Sequence, residues 1–211
     1  MIDATVRELL ERHGRTFADE AGITLRDKPA PLYQLLVLTT LLSVRISSHI
    51  AVAAARELFR AGWRTPARLA ESTWQQRVDA LGRAHYVRYD ESTSTALADG
   101  ARRVLDVYGG DLRRIRADAD GDAAAIRSAL TGFRRIGPTG AEIFCREVQV
   151  VWPELRPYFD ERALRVAAEH GLPAEPRRLA RLVADEDLGR LAAALVREGR
   201  DHSVTGAGRS R

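Results

Sequence analysis

Cysteine and lysine are both nearly absent from this chain of 211 residues, although arginine is abundant. Cys145 is the only cysteine, so the chain can form no internal disulfide and cannot supply four thiolates to an iron–sulfur or zinc site. Lys28 is the only lysine among 33 basic residues, so a reaction that needs a lysine amine has one candidate. The cysteine content predicts a reduced, cytoplasmic setting, and we expect neither a metal nor another cofactor.

Long hydrophobic runs are also missing. The longest apolar stretch, residues 35–44, is well below the roughly 20 residues that a membrane-spanning helix needs. Residues 1–12 mix acidic, basic and apolar types and lack the apolar core of a secretory signal. We therefore expect no membrane association. The net charge of +4 is compatible with a nucleic-acid partner but does not identify one.

Aromatic residues make up only 6% of the chain, and no segment alternates β-branched and polar residues as a strand would. Alanine, leucine, arginine and glutamate dominate, which favours an all-α protein. The segment 32–44 is apolar on every side, so it is expected to form the central helix of a bundle. The tail, residues 199–211, is poor in apolar residues and is predicted to be disordered.

The segment 126–148 has the pattern of two helices joined by a tight turn. Gly132 ends the first helix, Gly137 permits a close or left-handed backbone, and Pro138 suits the first turn of the second helix. Free amides at that helix start, around residues 137–140, would bind a phosphate. Four arginines add attraction to a nucleic-acid backbone: Arg127, Arg134, Arg135 and Arg146. The alternative is an ordinary helix connection with solvated arginines.

Several segments, taken in order, resemble the endonuclease III-like, helix-hairpin-helix-GPD DNA glycosylases. Phe133-Arg-Arg-Ile-Gly-Pro-Thr-Gly-Ala141 is similar to that family's Leu-Pro-Gly-Val-Gly-x-x-Thr-Ala hairpin, although Arg134 and Arg135 replace its Pro-Gly. Leu41–Ser48, Gly82–Tyr89 and Phe159–Val166 resemble three further family segments, the last of which carries the family aspartate. The resemblance covers about residues 30–170.

This resemblance implies a two-lobed, all-α glycosylase architecture. A helical barrel lobe would span residues 32–151 and contain the hairpin at about 123–151, and residues 1–31 with 152–198 would form the second lobe. Double-stranded DNA with a damaged or mispaired base would lie across the groove between the lobes. We expect a monomer, associated with the nucleoid if the source is bacterial.

The resemblance also implies site residues. Asp160 matches the catalytic carboxylate, which would stabilise the positively charged sugar or activate water. Thr139 stands where strand-cleaving relatives have a Schiff-base lysine, so the enzyme is predicted to be monofunctional, without lyase activity. Residues expected to contact DNA are Arg134, Arg135, Ile136, Gly137, Thr139, Gly140 and Arg45, and His49, Tyr86 and Thr139 are candidates for the base pocket.

Each assignment has a structural alternative. Asp160 could serve only as a helix N-cap, and Arg45 could be an ordinary surface residue. His49 could lie on a helix surface, and Tyr86 could pack in the core. For the whole protein, one alternative is a catalytically inactive protein that binds DNA structure through the hairpin. The other is a helical protein whose hairpin serves packing or a protein partner.

Overall fold

The computed structural model describes the backbone of residues 4–206 and the side chains of residues 4–199, and within that range all regular structure is helical. Short 3₁₀ turns lie at Pro153–Leu155 and Asp185–Asp187. The α-helices are α1 (Ala4–His13), α2 (Phe17–Glu20), α3 (Pro29–Leu42), α4 (Ser48–Arg60), α5 (Pro66–Ala70), α6 (Trp74–Arg83), α7 (Asp90–Tyr108), α8 (Arg113–Asp118), α9 (Ala123–Thr131), α10 (Pro138–Val148), α11 (Glu161–Glu169), α12 (Pro176–Ala180) and α13 (Leu188–Gly206).

Local sequence accounts for several helix boundaries. The Thr73 hydroxyl accepts a hydrogen bond from Gln76 N, and the Gln76 side chain accepts one from Thr73 N, which completes a capping box. Asp122 caps α9 by accepting from Ala125 N. At the other end of a helix, Gly109 terminates α7 in the left-handed conformation, with φ 58°.

The larger core surrounds α3, in which every residue from 32 to 42 is buried. Helices α4, α7 and α10 pack directly against it. Because neighbours cover α3 on all sides, its sequence has no polar face. The prediction of a central apolar helix is confirmed.

A second, smaller core is built from α1, α11 and α13, with Val6, Ala163 and Leu195 among its fully buried residues. The larger core includes residues from Phe17 to Tyr158. The packing therefore changes at about residues 17 and 158, whereas the sequence placed the lobe boundaries at 31 and 152. Phe17 and Ile23 before α3, and Leu155 and Tyr158 after residue 152, are buried in the larger core and account for the difference.

Helix α13 runs to Gly206, into the segment that the sequence predicts to be disordered from residue 199. The backbone of 199–206 continues the preceding helix in place of an irregular tail. The rest of the predicted tail, residues 207–211, lies outside the described residues.

Candidate active site

In the hairpin between α9 and α10, the residue with a left-handed backbone is Arg135, whereas the sequence suggested Gly137. Gly137 is extended, with φ −85° and ψ −170°, and Arg135 has a φ of 70°. A left-handed backbone costs a non-glycine residue about 1–2 kcal/mol. The Arg135 guanidinium lies 5.5 Å from the centre of the Tyr89 ring and donates a hydrogen bond to Ser92 Oγ. These contacts hold an arginine where the resembled family has glycine.

Helix α10 starts at the hairpin and packs closely against the end of α3. A Cβ on Gly140 would overlap Ser43 Oγ and lie 3.1 Å from Ile136 Cγ2. Gly140 is buried, and the Ile136 side chain is 2% exposed. Neither residue therefore offers a side-chain surface to DNA, and these two positions have only backbone groups available for such contact.

The first turn of α10 is open. Gly137 provides no side-chain cap, and Gly137, Pro138 and Thr139 are all exposed. The amide groups at the start of a helix have no partner within the helix, and together they favour an anion. An anion such as a phosphate would therefore be favoured at this helix start, and phosphate binding there stays a prediction.

Asp160 lies at the start of α11 and has both carboxylate oxygens engaged. Oδ1 accepts a hydrogen bond from Ala163 N at 2.8 Å, so Asp160 is the N-cap. Oδ2 accepts one from Arg146 Nη1 at 2.5 Å. The side chain of Arg146 is 2% exposed and that of Asp160 is 11% exposed, so this is a largely buried ion pair. The capping alternative for Asp160 is therefore realised in the structure.

Arg146 takes a different role from the one that the sequence suggested. Its place near the hairpin indicated attraction to a nucleic-acid backbone, but its burial and its pairing with Asp160 make it an internal counterion. Arg134, in contrast, is exposed and forms an ion pair with Asp99 at 3.0 Å. Of these two arginines, Arg134 is the one available to a phosphate.

A cleft of about 360 Å³ lies between the start of α10 and the start of α11. It brings together two residues predicted from the sequence, Thr139 and Asp160. Because α10 belongs to the larger core and α11 to the smaller one, the cleft lies between the lobes. Its lining residues are Pro138, Thr139, Glu142, Ile143, Arg146, Asp160, Glu161, Arg162, Arg165 and Val196.

Glu142 is a further carboxylate in this cleft, and it is not among the site residues predicted from the sequence. Its Oε2 accepts a hydrogen bond from the Tyr158 hydroxyl at 2.6 Å, and Tyr158 in turn accepts one from Arg127 Nη1 at 3.3 Å. Burial raises the pKa of Tyr158, so this phenol stays protonated and remains a donor. The spacing of Thr139, Glu142 and Arg146 places all three on one face of α10, and that spacing could have identified Glu142.

The remaining predicted residues lie apart from the cleft. Arg45 and His49 are exposed around the turn between α3 and α4, where His49 Nδ1 is 2.7 Å from Ser47 Oγ. Tyr86 has no exposed surface, and its hydroxyl donates a hydrogen bond to the carbonyl of Leu41 at 3.2 Å. Tyr86 thus packs in the core, which was the alternative to its assignment to a base pocket.

Neither membrane spans nor metal sites emerge from the described residues. No helix in residues 4–206 is long and apolar enough to cross a membrane. Groups of three or more potential metal-ligating side chains are likewise not found in that part of the chain. The iron–sulfur cluster of many endonuclease III-like proteins needs four cysteines, and this chain has only Cys145, buried in α10, so its residues do not fit such a cluster.

The hairpin, the two helical cores and the cleft between them form an all-α fold that is similar to that of endonuclease III. Endonuclease III trapped as a covalent intermediate with DNA, in an estranged-adenine complex, is similar to this chain with a TM-score of 0.52 and 16% identity, covering 94% of this chain and 86% of that one. A non-covalent endonuclease III–DNA complex matches with a TM-score of 0.52 and 15% identity, covering 92% and 84%. The predicted all-α glycosylase fold is confirmed.

No protein-family model matches the chain, and no curated protein is significantly similar to it in sequence.

Proposed function

We propose that this protein is a DNA glycosylase that hydrolyses the N-glycosidic bond of a damaged or mispaired base. The observation that carries the proposal is that the open start of α10 and the carboxylate of Asp160 share one cleft between the lobes of an endonuclease III fold. The helix start would hold a phosphate of double-stranded DNA. The base, turned out of the stack, would place its sugar beside the carboxylates of the cleft.

The chemistry of base removal explains why carboxylates are needed there. As the bond between C1′ and the base nitrogen breaks, the sugar acquires oxocarbenium character, and fixed negative charge stabilises it. Asp160 supplies such a charge, held in place by the N-cap and by Arg146. Because Arg146 neutralises part of it, we assign Asp160 an electrostatic and orienting role.

We propose that base release is monofunctional. A Schiff base requires a lysine amine, and the cleft position that matches the family lysine carries Thr139. Lys28, the only lysine, is exposed before α3 and does not line the cleft. Hydrolysis would leave an intact strand with an abasic site.

One observation favours a second candidate, a protein that binds DNA structure without cleaving the glycosidic bond. The carboxylate that matches the family aspartate is already occupied by a backbone amide and a buried guanidinium. In that case the hairpin would bind duplex DNA, with salt-dependent affinity, and no base would be released.

A panel of labelled duplexes distinguishes the two candidates. Duplexes with uracil, hypoxanthine, alkylated purines or oxidised pyrimidines are incubated with excess protein, and half of each sample is then treated with alkali. A glycosylase gives strand breaks in at least one duplex after alkali only. Breaks without alkali would contradict monofunctional chemistry, and binding without any breaks would favour the second candidate.

A further inference from the structure

Three carboxylates line the cleft, and two of them, Asp160 and Glu142, differ in what their oxygens can still do. Asp160 is 11% exposed, and each of its oxygens already accepts a strong hydrogen bond. A proton on Asp160 would also leave the buried Arg146 guanidinium without its counterion. Water activation in this cleft therefore requires another group.

Glu142 has the free oxygen that Asp160 lacks. Its side chain is 35% exposed, and it lies one helical turn before Arg146 on the same face of α10. Tyr158 holds Oε2, whereas Oε1 forms a half-exposed ion pair with Arg127, in which Nε is 3.7 Å away and beyond hydrogen-bonding distance. Among the described residues no hydrogen bond to Oε1 is found, so this oxygen can accept one from water.

The groups that surround Glu142 are unsuited to the same task. Burial raises the pKa of the Cys145 thiol to about 12, so it is neutral near pH 7. The Tyr158 phenol is also kept protonated by burial, which raises its pKa, and its proton is directed at Glu142. Arg127, which is ion-paired with Glu142, is a cation and cannot accept a proton. Glu161 also lines the cleft, but it is exposed, and among the described residues no hydrogen bond or ion pair is found that would hold its carboxylate in place.

We infer that Glu142 is the general base that activates water for base release, an assignment that rests on the proposed glycosylase function. Glu142 takes one proton from water as the water oxygen bonds to C1′ of the sugar. The bond between C1′ and the base nitrogen breaks, and its electron pair leaves with the base. The proton on Glu142 then passes to the departing base nitrogen or to solvent, so that water has been added across the broken bond.

The test uses the duplex that the wild-type protein processes in the panel above, under single-turnover conditions. Glu142→Gln preserves shape and can still accept the Tyr158 hydrogen bond, but it is not basic. We expect base release to slow by at least about 100-fold, the usual contribution of a general base. Binding should be no weaker than wild type, because a negative charge near DNA is removed. Glu169→Gln, an exposed change of the same charge at the end of α11, serves as the matched control.

A second variant distinguishes a general base from a residue that only supports the structure. In Glu142→Ala, added formate should restore part of the rate in proportion to its concentration, because a small carboxylate can enter the vacated space. Thermal unfolding confirms that both variants are folded.

The outcomes separate this assignment from the proposed function. If Glu142→Gln releases the base within tenfold of the wild-type rate, or if formate has no effect on Glu142→Ala, the assignment is wrong and the glycosylase function stands. If the wild-type protein releases no base from any duplex, both are overturned.

Discussion

At the scale of single residues, Arg135 shows how a position can depart from the pattern of the family that the sequence resembles and keep the backbone conformation. Its φ of 70° belongs to the region that glycine adopts most readily. The aromatic ring of Tyr89 and the hydroxyl of Ser92 bind the guanidinium and offset part of the backbone strain. The turn is therefore formed by tertiary contacts in a chain that lacks the usual glycine.

Two substitutions at this position measure the strain. Arg135→Gly and Arg135→Ala both remove the contacts to Tyr89 and Ser92, and they differ only in backbone preference. We expect the glycine variant to be more stable by about 1 kcal/mol, because left-handed strain of about 1–2 kcal/mol is partly offset by the greater freedom of glycine in the unfolded chain. Urea unfolding provides the comparison. Equal stability, or a more stable alanine variant, would contradict the assigned conformation.

The ion pair between Arg146 and Asp160 leads to a second prediction at this scale. Asp160→Asn retains an N-cap oxygen for Ala163 N but leaves a guanidinium that is 2% exposed without its counterion. We expect a loss of about 3–5 kcal/mol in the free energy of unfolding. Adding Arg146→Gln should recover much of it, because the unpaired buried charge is gone.

This prediction also affects how activity is measured. A loss of base release in Asp160→Asn counts as catalytic only if the variant is folded, whereas the double variant tests the carboxylate in a stable background. If the single variant is as stable as the wild type, the pair contributes little, and the structural role given to Asp160 is wrong.

At the scale of secondary-structure elements, the contact between α3 and α10 depends on Gly140. A side chain there would overlap Ser43 Oγ and crowd Ile136. We expect Gly140→Ala to destabilise the protein by about 1–3 kcal/mol, the usual cost of overpacking. The addition of Ser43→Ala should recover part of the loss.

Gly82→Ala is the matched control in denaturant unfolding. Gly82 lies inside α6, and a Cβ there would meet nothing within 4 Å. Alanine should stabilise that helix by about 0.5–1 kcal/mol. If Gly140→Ala behaves like Gly82→Ala, the two helices are not in close contact at this point.

Elements defined by local patterns could be predicted from the sequence. The apolar helix α3 and the hairpin before α10 both occur where the sequence indicates them. Short helices such as α2 and α8 were not predicted, because four to six residues are too few to show a period.

The candidate site was predictable only in part. Thr139 and Asp160 could be placed through the resemblance, and they do line one cleft. The pairing of Arg146 with Asp160 joins two helices across 14 residues, and neither local sequence nor helical spacing reveals such a partner. The same holds for Tyr158, which reaches Glu142 from the segment before α11. Tyr86 was a candidate for the base pocket. Its burial depends on packing around the end of α3, which the local sequence does not reveal.

At the scale of the whole molecule, we predict that duplex binding depends on Arg134 in the hairpin. Arg134→Ala should make the negative slope of log affinity against log salt concentration less steep by about one, because one phosphate contact is lost. Arg12→Ala is the control, since Arg12 is 55% exposed and ion-paired on α1, whereas Arg134 is 56% exposed and ion-paired at the hairpin. Fluorescence anisotropy at several salt concentrations gives both slopes. Equal slopes for the two variants would contradict a contact between Arg134 and a DNA phosphate.

The central claim is that the cleft between the lobes removes a base by hydrolysis, and mass spectrometry of the DNA strand tests it most directly. Each lesion duplex is incubated with excess protein, and the masses of its strands are then measured without alkali or heat. For at least one lesion, we expect an unbroken strand that has lost the base and gained a hydroxyl group. Unchanged masses for every lesion duplex would contradict it.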